Sequence, residues 1–348
     1  MRRVLRASRT RLALWGGLVT VAALVVVAGG CPGRRPGAPQ RPAGSPAPEA
    51  VALGVALRPS SALVFIAQQQ GYFTQAGLTA TIKEYPSGKR AIEGMLAGEV
   101  NVSTGADVPF VVSSFARSDL RLLATISAAD DDPRIVARKD RGIRQPADLR
   151  GKRVATRKGS SVHFFLHHFL RRYGLTERDV KLSFMKDEEL TPALAAGQID
   201  AFSAREPQTS QARRALGDRA VFFAGPGLYR CTENLVSLSS FLQARPQVAP
   251  KLLTALLQAE DLAAREPQQA SQIIAGRVGI TAPEAAAEIA GLDLRVRLDQ
   301  SLLQTLEDIA RWAMREQLTA PGPMPNYLPL LYLEGLAATR PEAITIIH

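Results

Sequence analysis

Val154-Ala-Thr-Arg-Lys-Gly-Ser-Ser-Val-His-Phe-Phe-Leu166 reads as a short buried strand, a turn at Lys158-Gly159-Ser160-Ser161, and a helix running to about Tyr173. A helix starting there would offer unpaired N–H groups, two hydroxyls and the positive end of a dipole. Together these make a small anion-binding site. Serine is also a preferred N-cap, so the plain alternative is that Ser160 or Ser161 merely finishes the helix.

Around this stretch the chain repeats the same strand–turn–helix unit. From residue 51, apolar strands alternate with amphipathic helices, the signature of α/β architecture with mostly parallel sheets. Strands are expected at 51–57, 78–85, 100–104 and 120–126, with helices at 62–70, 88–97 and 108–117 between them. A connector at 128–133 leads to a second set: strands at 134–138, 152–156, 180–184, 199–203 and 220–223, and helices at 160–173, 191–196 and 207–216. Gly225-Pro226-Gly227 reads as the return crossing, after which 233–239 rejoins the first sheet and a helical tail extends to about residue 336. At 348 residues the chain suits two lobes of roughly 100–150 residues each. In open α/β sheets, ligands bind at the strand C-termini, so the loops there should gather into a cleft.

The formal charge of +11 overstates how basic the ordered part is. Residues 1–30 carry five arginines and no acids, and residues 50–348 hold 35 basic against 31 acidic residues. That region has no Lys/Arg block, no basic–aromatic interleaving and no zinc-finger spacing, which argues against nucleic acid as a partner.

The first 30 residues combine an Arg-rich start, an apolar run from Leu12 to Ala28, and Gly29-Gly30 before Cys31. This is the pattern of an export signal. A retained membrane anchor is the alternative, although the run is short for a span. Residues 31–49 contain six prolines with Gly, Ala and Arg and no core-forming residues, and read as a tether. Of the two cysteines, Cys231 is expected to be a lone thiol.

Enzyme signatures are missing: there is no Walker A sequence, no G-x-G-x-x-G, no G-x-S-x-G and no H-E-x-x-H. His163 and His167 lie at i,i+4, but no third metal ligand is evident and structural roles are expected. Asp130-Asp131-Asp132 has consecutive rather than alternate acids and fits no calcium loop. No cofactor, metal or catalytic residue is therefore expected. Basic groups do mark the strand ends: Arg58, Arg157, Lys158 and Arg205. A guanidinium can grip two oxygens of a carboxylate, sulfonate or phosphate, which points to an anionic ligand.

Four stretches then stand together: Ile66-Ala-Gln-Gln-Gln-Gly-Tyr-Phe73, Ala97-Gly-Glu-Val-Asn-Val-Ser-Thr-Gly105, the run from Gly142 to Val154, and Ala195-Ala-Gly-Gln-Ile-Asp-Ala201. Over about residues 51–239 they resemble the sulfonate/nitrate/taurine branch of ABC-transporter solute-binding proteins, related to thiamine-pyrimidine-precursor-binding proteins. Val27-Ala-Gly-Gly-Cys31 is similar to the lipobox of bacterial lipoproteins, with Ala28 where Leu is commoner.

The resemblance implies a type II periplasmic-binding-protein fold. Lobe one would comprise 50–128 and 234–348, including the helical tail, and lobe two 129–233. It also implies a small-molecule ligand held between the lobes, delivery to a membrane permease, lipidation at Cys31, and a monomer working outside the cytoplasm. Carried over by position, its ligand loops fall on Arg58, Ser60 and Ser61; Ser87; Thr104, Gly105 and Asp107; Lys158, Ser160 and Ser161; and Arg205 with Glu206. Relatives commonly have an aromatic residue where Arg205 stands and a small polar one where Arg58 stands. Two other readings remain open on the same fold: an enzyme of vitamin or quinone-precursor metabolism, and a ligand-sensing ectodomain. The cysteine-rich iron-site motif of the yeast pyrimidine-precursor synthases is absent.

Overall fold

The computed structural model describes residues 47–130 and 133–347. The expected export signal, Cys31 and most of the Pro-rich segment lie outside the described residues, as do Asp131 and Asp132 of the connector.

The first half of the chain lays down β1 (Glu49–Ala56), α1 (Ala62–Gln69), α2 (Tyr72–Gln75), β2 (Leu78–Tyr85), α3 (Gly88–Leu96), β3 (Val102–Ala106), α4 (Asp107–Ser114) and β4 (Leu120–Ala129). It continues with β5 (Arg134–Arg138), β6 (Arg153–Thr156), α5 (Ser161–Arg172), β7 (Lys181–Phe184), α6 (Asp187–Ala195), β8 (Ala201–Ala204), α7 (Gln208–Leu216) and β9 (Ala220–Phe223). The chain then returns through β10 (Cys231–Leu238) and ends in α8 (Ser239–Ala244), α9 (Val248–Arg265), α10 (Pro267–Val278), α11 (Ala282–Ala290), α12 (Gln300–Arg315) and α13 (Leu333–Ala337).

Two five-stranded sheets result, ordered β2-β1-β3-β10-β4 and β7-β6-β8-β5-β9. In each, four of the five strands run in one direction and the fourth in the order, β10 or β5, runs antiparallel to both of its neighbours. Each sheet is the frame of one lobe. β1, inside its sheet, and β4, at the edge, are both covered on their two faces over most of their length, which is why they are nearly continuous apolar runs rather than alternating ones. Alternation does show in β5. Ile135 and Ala137 join the large core shared with α5, while Val136 faces a smaller one with Phe202, Leu190, Leu194 and Leu216.

The element types follow the sequence pattern, and the boundaries move where turn chemistry was misread. Helix α1 ends at Gln69, just before the expected stop at Gly71-Tyr72-Phe73, and Gly71, at φ 71°, also opens the short helix α2, which was not expected. Helix α6 begins at Asp187, four residues before its expected start at 191.

Candidate functional site

The strand ends of both sheets converge on one cavity lined by loops of both lobes. Lobe one supplies Arg58 after β1, Ser87 and Gly88 at the start of α3, and Glu233 on β10. Lobe two supplies Arg157, Ser160 and Ser161 between β6 and α5, Asp187 at the start of α6, and Arg205 and Gln208 after β8. The cavity volume is only about 30 Å³, little more than a water site or two.

Side chains bridge the lobes directly. The Arg157 guanidinium donates from Nε to Asp187 Oδ1 at 2.9 Å, and its Nη2 lies 2.6 Å from Oδ2. Its Nη1 also donates to Ser87 Oγ across the cleft. Arg58 Nη2 reaches the same Asp187 carboxylate at 3.5 Å and the Pro86 carbonyl at 3.3 Å. Arg205 contacts Cys231 Sγ, and its Nη1 lies 4.0 Å from Glu233 Oε2. Ser60 donates to that same Oε2 at 3.1 Å.

Asp107 is fully buried at the start of α4. It accepts from Ser161 Oγ at 3.2 Å, from Tyr229, from the Thr232 amide at 3.1 Å and from its neighbour Val108. Burial pushes its carboxyl above the usual range, against the hydrogen bonds of Tyr229 and Thr232 and the charge of Arg205. Burial also raises the Tyr229 phenol well above 10, and the Asp107 charge adds to it. Lys89 lies at the rim and donates to the Lys158 carbonyl at 3.0 Å. Burial draws its ammonium below the ordinary value; Glu93 opposes this, while Arg157 and Lys158 reinforce it.

The predicted residues divide by position. Arg58, Ser87, Ser160, Ser161 and Arg205 line the cavity. Ser60, Thr104, Gly105, Asp107 and Glu206 stand behind it: Thr104 Oγ1 accepts from the Ala56 amide at 2.9 Å, and Glu206 accepts from Thr209 and from the Ser210 amide and hydroxyl. Lys158 departs from expectation, because its side chain is exposed over the Phe184 ring and only its carbonyl meets lobe one. Ser160 holds the N-cap position of α5, yet its hydroxyl donates back to the Arg157 carbonyl at 2.7 Å instead of accepting from a helix amide.

Sequence reasoning missed Asp187, Tyr229 and Gln208, and treated Glu233 only as part of a strand. A strand-end position could have flagged Asp187. Tyr229 lies in the return crossing and Glu233 near the start of β10, and no local motif points to either as a site residue.

The histidines of α5 form a separate group. His163 Nε2 and His167 Nδ1 lie 3.3 and 3.5 Å from one oxygen of Glu177. His163 Nδ1 accepts from the Gly159 amide, and its ring meets Trp312 of α12 edge-on at 5.1 Å. Burial pushes the Glu177 carboxyl up, but hydrogen bonds and charge from both histidines hold it at about 2. Among the described residues no group of three or more His, Cys, Asp or Glu is arranged to hold a metal, and Cys231 is buried against Arg205.

This two-lobed arrangement matches known proteins. The NMT1/THI5-like family profile matches residues 58–270, more than half of the chain and every loop of the cleft. The chain belongs to the NMT1/THI5-like family. Among curated relatives, an Escherichia coli (strain K12) protein named for aliphatic sulfonate binding is 24% identical over 204 residues, covering 59% of this chain and 64% of that one. A similarly named Bacillus subtilis (strain 168) protein is 26% identical over 162 residues, or 45% and 49% of the two chains. This NMT1/THI5-like chain thus spans between about half and two thirds of those relatives' length. Among solved structures, the alkanesulfonate-binding protein SsuA from Xanthomonas axonopodis pv. citri bound to MOPS superposes with a TM-score of 0.69 at 21% identity, covering 83% of this chain and 99% of that one. The fold is the two-lobed periplasmic-binding-protein fold.

Proposed function

We propose that this NMT1/THI5-like chain is the extracytoplasmic solute-binding protein of an ABC importer, closing its lobes on a small sulfonate-type anion and presenting it to a membrane permease. The observation that carries the reading is the convergence of three guanidinium groups, from Arg58, Arg157 and Arg205, on one cavity between two lobes. The α5 N-terminus adds its dipole there. The names of the two curated relatives support the sulfonate class.

The cleft also holds acceptors, the carboxylates of Asp187 and Glu233. A ligand with a hydroxyl or amino group beside its oxyanion would satisfy both kinds of partner. The reading assigns no catalysis: Cys231 is buried against Arg205, and His163 and His167 are engaged with Glu177. Among the described residues no helix is long and apolar enough to cross a membrane. Attachment is proposed through lipid on Cys31, so Cys31→Ser should move the protein from the membrane to the soluble fraction.

Calorimetric titration against taurine, ethanesulfonate, nitrate and a dicarboxylate tests the main claim. At least one should bind in the micromolar range, and a null across the set overturns the reading. A ligand at 100 times its Kd should also stabilise the fold by about 2.7 kcal/mol.

A further inference from the structure

Asp187 stands where an oxyanion ligand would be held. Its carboxylate sits between a guanidinium of lobe two, Arg157, and one of lobe one, Arg58, and all three side chains are about nine-tenths buried. The two Arg157 contacts, at 2.9 and 2.6 Å, are the paired geometry that a carboxylate or sulfonate takes on an arginine fork. Helix capping does not account for this placement, since Glu189 accepts from the Lys186 amide at 2.8 Å and supplies the cap. With a cavity of about 30 Å³, a sulfonate cannot reach both arginines while Asp187 keeps them.

We propose that Asp187 is an internal competitor of the ligand and the residue that sets the charge selectivity of the cleft. This rests on the anion-binding reading above. Before ligand arrives, the carboxylate bridges Arg58 and Arg157 and so ties the lobes together. A ligand oxyanion replaces it on the two guanidinium groups. The displaced carboxylate stays beside the site as a negative charge, so a monoanion is accepted and a dianion is repelled. The competition lowers the affinity for every anion and discriminates most strongly against sulfate and hydrogen phosphate.

The test pairs Asp187→Asn with Asp187→Ser, the second guarding against an amide that preserves the hydrogen bonds. Both are titrated with ethanesulfonate and with inorganic sulfate. Thermal melts confirm folding. Ethanesulfonate should bind about tenfold tighter to the variants than to the wild type, a difference of about 1.4 kcal/mol, and sulfate should gain by a larger factor. If Asp187 only positions Arg157, both anions will bind more weakly to the variants, which overturns the proposal; so does an equal gain for the two anions. Small-angle scattering supplies a ligand-independent arm. The ligand-free variants should show a larger radius of gyration than the wild type, and an unchanged radius refutes the tie between lobes. Should no anion bind any of the proteins, the importer reading fails separately and the scattering still decides whether Asp187 holds the lobes together.

Discussion

Burial of charge decides the behaviour of single residues here. His168, on the half-buried side of α5, is held down to about 4 by burial and by the charges of His167, Arg171 and Arg315. Its folded pKa lies below the unfolded value near 6.5, so the unfolded chain binds the extra proton first. The stability contributed is fully present above 6.5 and is lost as pH falls towards 4. Denaturant titrations across that window should show wild-type stability dropping with pH, and His168→Gln should flatten the slope, removing about 2 kcal/mol of the dependence. The residue scale is also where the sequence was half legible. Arginines at strand ends stood out because open sheets present their strand C-termini to ligands. Their carboxylate partners did not: Arg58 and Asp187, for example, are 129 positions apart and sit on different lobes. Local pattern carries no record of such pairings.

Elements are held in place by close backbone approach as much as by apolar stripes. Gly88, the first residue of α3, lies so near β3 that an added Cβ would sit 2.9 Å from Gly105 Cα and 3.0 Å from the Ala106 amide nitrogen. Both obstacles are backbone and cannot rotate away. Gly88→Ala should therefore cost about 1–3 kcal/mol in chemical denaturation. It should also weaken ligand binding, because Ser87 and Asp107 flank the displaced contact. The serine–glycine pair marked a helix start in the sequence, but only the three-dimensional packing gives the glycine this second reason. Element boundaries were misread for a similar cause. The expected start of α6 at residue 191 falls four residues late. The acidic run Asp187-Glu188-Glu189 is the true first turn, with Glu189 capping and the macrodipole favouring all three charges.

At the scale of the whole molecule, the C-terminal helices do more than clad the lobes. Helix α12 packs on α4 of lobe one, while its Trp312 meets His163 and Phe164 of lobe two with ring centroids 5.1 and 5.0 Å apart. It therefore forms a strap between lobes. Amphipathic periodicity revealed the helix but not its neighbours, because a stripe of apolar residues fits any complementary face. Trp312 is fully buried, and its indole N–H makes no hydrogen bond among the described residues. Size and not hydrogen bonding should then dominate its contribution. Trp312→Ala leaves a cavity under the strap and should cost about 3–5 kcal/mol. Trp312→Phe keeps most of the aromatic contact and should cost well under half as much. Melting curves of the two variants separate these costs. If the strap limits how far the lobes part, the alanine variant should also bind ethanesulfonate more weakly, since more of its population would hold the two halves of the cleft apart. Equal affinity in the alanine variant and the wild type would confine Trp312 to a packing role.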